Sequence, residues 1–145
     1  MVLQSKRIEA YATNIVLSMT AIVQSKDRKV LLIWEGDLPY HNLWVIPMGY
    51  VRQNERVVDA VSREVREETG IAVKVEDLVG VYDDFIEMNG HRLHHVITCY
   101  RTKALTDPPK VSREAKEHAW INRKQVTGLT APDVVKTMLF EHFKL

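Results

Sequence analysis

Cysteine is almost missing from this chain of 145 residues, and its single thiol, Cys99, excludes an intramolecular disulfide. Cys99 lies in the apolar run Val96 to Tyr100, with no Cys-x-x-Cys partner and no flanking basic cluster. It therefore reads as a small buried side chain, in keeping with a reducing, cytoplasmic compartment. Long apolar runs are also missing. The longest, Ile15 to Val23, is broken by Ser18 and Thr20 and falls well short of the roughly 20 residues that a membrane-spanning helix needs. Lys6 and Arg7 precede it as in a secretory leader, but Glu9 and Asn14 intervene and no small-x-small cleavage site follows. An excess of either charge is lacking: 20 Lys and Arg face 19 Asp and Glu, a formal net charge of +1. Such a balance holds no long polyanion, which excludes a nucleic-acid polymer as the main partner and leaves ligands that are recognised locally. With 6 glycines and 5 prolines, the chain is neither collagenous nor of low complexity. No linker or repeat divides it, so residues 1–145 read as a single domain, large enough to bury roughly 68–70% of its unfolded surface.

What is present is a regular order of elements. Residues 13–24 and 29–35 read as strands joined by the polar turn Ser25-Lys26-Asp27-Arg28, and a short apolar piece from Leu43 to Ile46 ends at Pro47 and Gly49. A helical period runs over 55–69, with Asn54 as the expected N-cap and Gly70 as the C′ residue. Strands follow at 71–86 and 93–102 around a Met88-Asn89-Gly90 turn, then a shorter one at Ala119 to Ile121. The chain closes with an amphipathic helix from Pro132 to Phe143, where Thr130-x-x-Asp133 resembles a capping box. Strands around a central helix, with another helix at the end, predict an α/β fold with a mixed sheet packed between helices.

The helix at 55–69 contradicts its own pattern. At about 100° per residue, Val57, Val58, Ala60, Val61 and Val65 share one face, and Glu64 and Glu68 fall inside the same sector with Glu67 on its flank. Carboxylates at i and i+4 repel by a few tenths of a kcal/mol even in water, and burial raises that cost. Two remedies exist. One is ion pairing, since Arg63 and Glu67 are four residues apart and Arg56 and Arg66 are near. The other is a hard divalent cation, for which Mg²⁺ suits two or three carboxylates and still leaves positions for water and phosphate.

A family resemblance favours the second. Gly49, five residues, Glu55, seven residues, then Arg63-Glu64-Val65-Arg66-Glu67-Glu68-Thr69-Gly70-Ile71 resembles the Nudix box at every specified position, a match with a chance probability on the order of 10⁻⁸ in a chain of this length. The box covers 49–71. Looser resemblance runs from Val30-Leu31-Leu32 through Trp44-x-x-Pro47 to Trp120. The resemblance to the Nudix (MutT-like) hydrolases implies an α/β/α sandwich. It also implies Mg²⁺- or Mn²⁺-dependent hydrolysis of the pyrophosphate bond in a nucleoside diphosphate linked to X: a nucleoside triphosphate, ADP-ribose or a nucleotide sugar.

Carried over residue by residue, it makes Glu64 and Glu68 the main metal ligands, with Glu67 acting directly or through water. Arg63 and Glu55 would support them, and Gly49 would let the backbone approach the metal. Relatives often carry a further acid before the tryptophan, which points to Glu114, ahead of Glu117, as an added ligand or the general base. The departures are Met48 for a glycine, Trp34 where many members have arginine, Arg52 for an acid and Asn54 for a glycine; Asn tolerates left-handed geometry. Arg52 is a candidate phosphate contact. Tyr82 is a candidate for base recognition, alongside Tyr40, Trp34, Phe85 and Tyr50, each of which can equally be a packing residue. The expected partner is a small nucleotide-type substrate, not a membrane, and homodimerisation is common in the family. The competing reading is a non-catalytic nucleotide sensor on the same fold.

Overall fold

A computed structural model describes residues 15–36, 40–106 and 115–145. Seven strands and two α-helices are present among them: β1 (Ile15–Gln24), β2 (Val30–Glu35), β3 (Trp44–Val45), β4 (Met48–Tyr50), α1 (Val57–Thr69), β5 (Val73–Met88), β6 (His91–Ala104), β7 (Ala115–Ile121) and α2 (Asp133–Phe143). Among the described residues no helix is long and apolar enough to cross a membrane.

All seven strands form one mixed sheet in two halves. In the first, β1 lies between antiparallel β4 and parallel β6, and β6 continues into antiparallel β5. In the second, β2 lies between β3 and β7, both antiparallel. The halves meet at the β1–β2 hairpin, where Gln24 pairs with Val30. Because strand side chains alternate between faces, each half feeds both layers. Met19, Ala21, Val23 and Leu31 pack against Ala60, Val61 and Val65 of α1. Ile22, Leu32, Ile97 and Cys99 pack against Val135, Met138 and Leu139 of α2. The result is the expected α/β/α sandwich. Burial pushes the Cys99 thiol up to about 12, so it stays protonated and unreactive.

Most element boundaries fall close to expectation, and the exceptions have physical causes. Helix α1 begins two residues late, with Arg56 as an extended N-cap that has no side-chain cap bond. Asn54 instead takes the left-handed conformation at φ 61°. Residues 52–55 close a turn in which Glu55 N–H donates to the Arg52 carbonyl (3.2 Å) and Arg52 N–H donates to Glu55 Oε1 (3.0 Å). That side chain is thereby committed to the loop. Gly70 behaves as expected, at φ 73° with its N–H on Arg66 O at 2.8 Å. Val58 is exposed rather than buried. Strand β4 is additional, pairing Met19 with Gly49. Helix α2 starts after Pro132 without a side-chain cap, and the capping box lies earlier, between Asn122 and Gln125. The β5–β6 hairpin turns through Asn89 and Gly90, both at positive φ as a two-residue type I′ loop requires.

Candidate active site

Three short pieces converge where β4 meets α1. Strand β4 supplies Gly49 and Tyr50, the turn after it supplies Arg52 and Glu55, and the second half of α1 supplies Arg63, Glu64, Glu67 and Glu68. Arg63 is the hub. Its Nε donates to Glu55 Oε2 at 2.7 Å and its Nη2 to Glu55 Oε1 at 2.8 Å, a two-pronged bond that fixes the plane of the guanidinium. Nη1 then reaches Glu64 Oε1 at 2.7 Å and Glu67 Oε2 at 3.2 Å, and Nη2 also donates to the Tyr50 carbonyl at 3.0 Å. The guanidinium holds the Glu55 carboxyl down at about 2, with the Arg52 backbone N–H as the second cause, and Glu55 in turn raises Arg63 above its ordinary value.

Ion pairing, the first of the two remedies for the crowded acids, is in place here. Arg63 pairs with Glu64 and Glu67, while Glu68, one turn beyond Glu64, is only 4% exposed. Glu67 is the open member, with its side chain 49% exposed. Among the described residues, no group of three His, Cys, Asp or Glu side chains stands ready-arranged for a metal. The donor set is nonetheless one of hard oxygens, the chemistry Mg²⁺ and Mn²⁺ take. Gly49 adds a cradle: a Cβ built there would collide with the Glu64 carboxyl group, standing 2.5 Å from Oε2 and 2.6 Å from Cγ. Gly49 is not among the residues at positive φ, so it is required for space rather than for backbone conformation.

This close approach carries a prediction. In Gly49→Ala the Glu64 carboxyl group must swing away from β4 while Arg63 still holds it, a displacement of the order that costs about 10²-fold in turnover. Steady-state kinetics should show that loss, with a melting temperature close to that of the parent protein; unchanged turnover would mean that Glu64 acts from another position.

The remaining expected residues are placed as follows. Arg52 is exposed, and its Nη2 is 3.4 Å from Glu67 Oε1, at the rim of the cluster. Tyr82 packs with the α2-side core and its hydroxyl donates to Glu141 of α2, so its printed bonds lead away from the carboxylates of α1. Burial, then Glu141, raises its pKa. Trp34 packs edge-on against Trp44, with ring centroids 5.2 Å apart. Phe85 stacks on His94, which bonds Asp83 at 2.6 Å. Glu114 lies outside the described residues, and Glu117 is exposed opposite Trp34. Sequence reasoning missed the Tyr50 carbonyl as a partner of Arg63, because a main-chain acceptor carries no residue-type signal.

Comparison with known proteins places the chain in a family and a fold. The family model described as NUDIX domain matches residues 15–139. An ADP-ribose pyrophosphatase of Methanocaldococcus jannaschii is 46% identical over 57 residues, 39% of this chain and 34% of the relative. The 8-oxo-dGDP phosphatase NUDT18 of Homo sapiens is 34% identical over 124 residues, 84% of this chain and 37% of the relative. The chain thus spans about a third of the length of both. In fold, the MutT protein of Methanosarcina mazei Go1 superposes with a TM-score of 0.77 at 23% identity, covering 90% of this chain and 93% of that one.

Proposed function

Since the chain belongs to the NUDIX domain family, we propose that it is a divalent-cation-dependent hydrolase that cleaves the pyrophosphate bond of a nucleoside diphosphate linked to a further group. The substrate class is a nucleoside triphosphate, ADP-ribose or a nucleotide sugar, and the cation is Mg²⁺ or Mn²⁺. The observation that carries this reading is the single guanidinium of Arg63, which gathers Glu55, Glu64, Glu67 and the Tyr50 carbonyl beside a glycine with no room for a side chain.

Glu64, Glu67, Glu68 and the Gly49 carbonyl would hold the cation, with Glu114 as a further candidate. When bound, the cation neutralises charge on the pyrophosphate and lowers the pKa of a bound water. The chain's own residues do the rest. Glu55 fixes the Arg63 guanidinium, and Arg63 fixes the direction of the Glu64 and Glu67 carboxylates. The proton of the attacking water goes to a carboxylate, Glu67 or Glu114, of which Glu67 is open to solvent. Arg52, exposed and paired only at 3.4 Å, is free enough to exchange Glu67 for a substrate phosphate. We place the protein in the cytoplasm, and we expect a homodimer.

The test is a panel of ADP-ribose, nucleotide sugars, dinucleoside polyphosphates and nucleoside triphosphates with Mg²⁺ or Mn²⁺, with products identified by mass. At least one compound should give a nucleoside phosphate, and EDTA should stop its formation. No turnover of any compound with either metal would refute the reading.

A further inference from the structure

A second group of polar side chains lies next to this site and takes no part in it. On the α2-facing side of the sheet, Thr20 touches Met138, and Ser18 comes two residues earlier on β1. Ser18 pairs with Tyr50 on β4, and one strand over His95 on β6 pairs with Asp84 on β5. The Tyr50 ring stands edge-on to the His95 ring, with centroids 5.9 Å apart, and Tyr40 donates its hydroxyl to Asp84. Ser18 and His95 are each only 4% exposed. Among the described residues, neither Ser18 Oγ nor His95 Nε2 has a hydrogen-bond partner. Both lie around Tyr50, Ser18 as its strand partner and His95 against its ring, and two such atoms in one cluster are uncommon, since buried polar groups are nearly always bonded.

We propose that Ser18 and His95 form the floor of a pocket for the nucleobase of the substrate, entered by displacing the half-exposed Tyr50 ring. This proposal rests on the reading of the chain as a nucleotide hydrolase and adds a specificity determinant to it. The chemistry selects the ligand. Burial lowers the His95 pKa, so its ring is neutral and presents one donor and one acceptor, and the serine hydroxyl can do either. Tyr50 and Tyr40 provide aromatic faces and edges, which suit a planar heteroaromatic ring and not a sugar. The Asp84 carboxylate in the same row repels phosphate, leaving the anionic end of the ligand for Arg52 and the cation site. Position fits as well: Tyr50 directly follows Gly49 on the short strand β4, so the pocket and the candidate cation site are one residue apart along that strand.

The experiment uses the full chain in EDTA with AMP, GMP, CMP, UMP and ribose 5-phosphate, measured by calorimetry. One nucleotide should bind at least about tenfold more tightly than ribose 5-phosphate. Ser18→Ala and His95→Leu should each remove about tenfold of that preference while leaving ribose 5-phosphate affinity unchanged. His95→Leu should also melt no lower than the parent, because it exchanges a buried nitrogen without a partner for an apolar group. Equal binding of all five compounds, a preference that survives in both variants, or a large fall in the melting temperature of His95→Leu would each overturn the pocket. The two readings fail separately: lost hydrolysis with the base preference intact removes the enzyme, whereas hydrolysis with a preference indifferent to Ser18 and His95 removes the pocket.

Discussion

Glu68→Gln is expected to reduce hydrolysis by about 10³-fold without lowering the melting temperature. Glu68 occupies the buried stripe of α1 with Ala60, Val61, Val65 and Thr69, where sequence periodicity calls for an apolar residue. A carboxyl group at 4% exposure ionises only against a large desolvation cost, which a strong local interaction must offset. If that interaction is with a catalytic cation, glutamine keeps the shape and discards the charge. The cation's stabilisation of the transition state is worth several kcal/mol; at about 1.36 kcal/mol per decade, losing most of it gives about three decades. Glutamine fills the same buried space on α1, so the packing of the helix is expected to survive the change. Kinetics on the best substrate of the panel, together with a thermal melt, check both halves. Full activity in Glu68→Gln would remove Glu68 from the site, and a collapsed melting temperature would make its role structural.

Arg63→Ala is expected to lose about 10–100-fold in activity, the range for residues that orient metal ligands, and also to lower the melting temperature. Three carboxylates and the Tyr50 carbonyl face this one guanidinium, so its removal leaves Glu55, Glu64 and Glu67 to repel one another across the gap. Arg63→Lys should recover little of either quantity. A lysine keeps the charge but has no planar fork with which to grip both oxygens of Glu55 while its other face holds Glu64. Raising the divalent cation concentration should restore part of the activity of Arg63→Ala, since the cation screens the same acids, and should leave the Glu68→Gln defect in place. An Arg63→Lys variant with parental activity would show that charge alone suffices there.

Much of this site was readable from residue order because the box is local: Glu64 and Glu68 violate the periodicity of their own helix, and Gly70 ends it as a left-handed residue. The start of the helix was not readable. Asn54 has the composition of an N-cap, but the loop uses its tolerance of positive φ, and Glu55 is drawn to Arg52 N–H and Arg63 instead. Strand β4 was hidden because three residues centred on a glycine carry no period, and its existence depends on β1 lying alongside. Thr130-x-x-Asp133 matched a capping pattern that Asn122 and Gln125 carry out in the structure. Tyr82 reads in sequence as either a base-recognition or a packing aromatic, and only the fold reveals that Glu141 engages it. Local signals held where the neighbours in space are also neighbours in the chain.

The parallel pairing of β1 with β6 also determines when the site can exist. Side-chain bonds across it, from Thr20 to Thr98 and from Thr102 to Ile22, close loops of 78 to 80 residues. Helix α1 lies inside those loops, while the β5–β6 hairpin closes through a two-residue turn. Loops of that length slow folding, because their closure entropy is spent before any contact is gained. The box is therefore complete in sequence by residue 71, but β1, against which α1 packs, finds its central partner only once β6 has been made. During synthesis α1 waits for a strand that begins twenty residues after the box has ended.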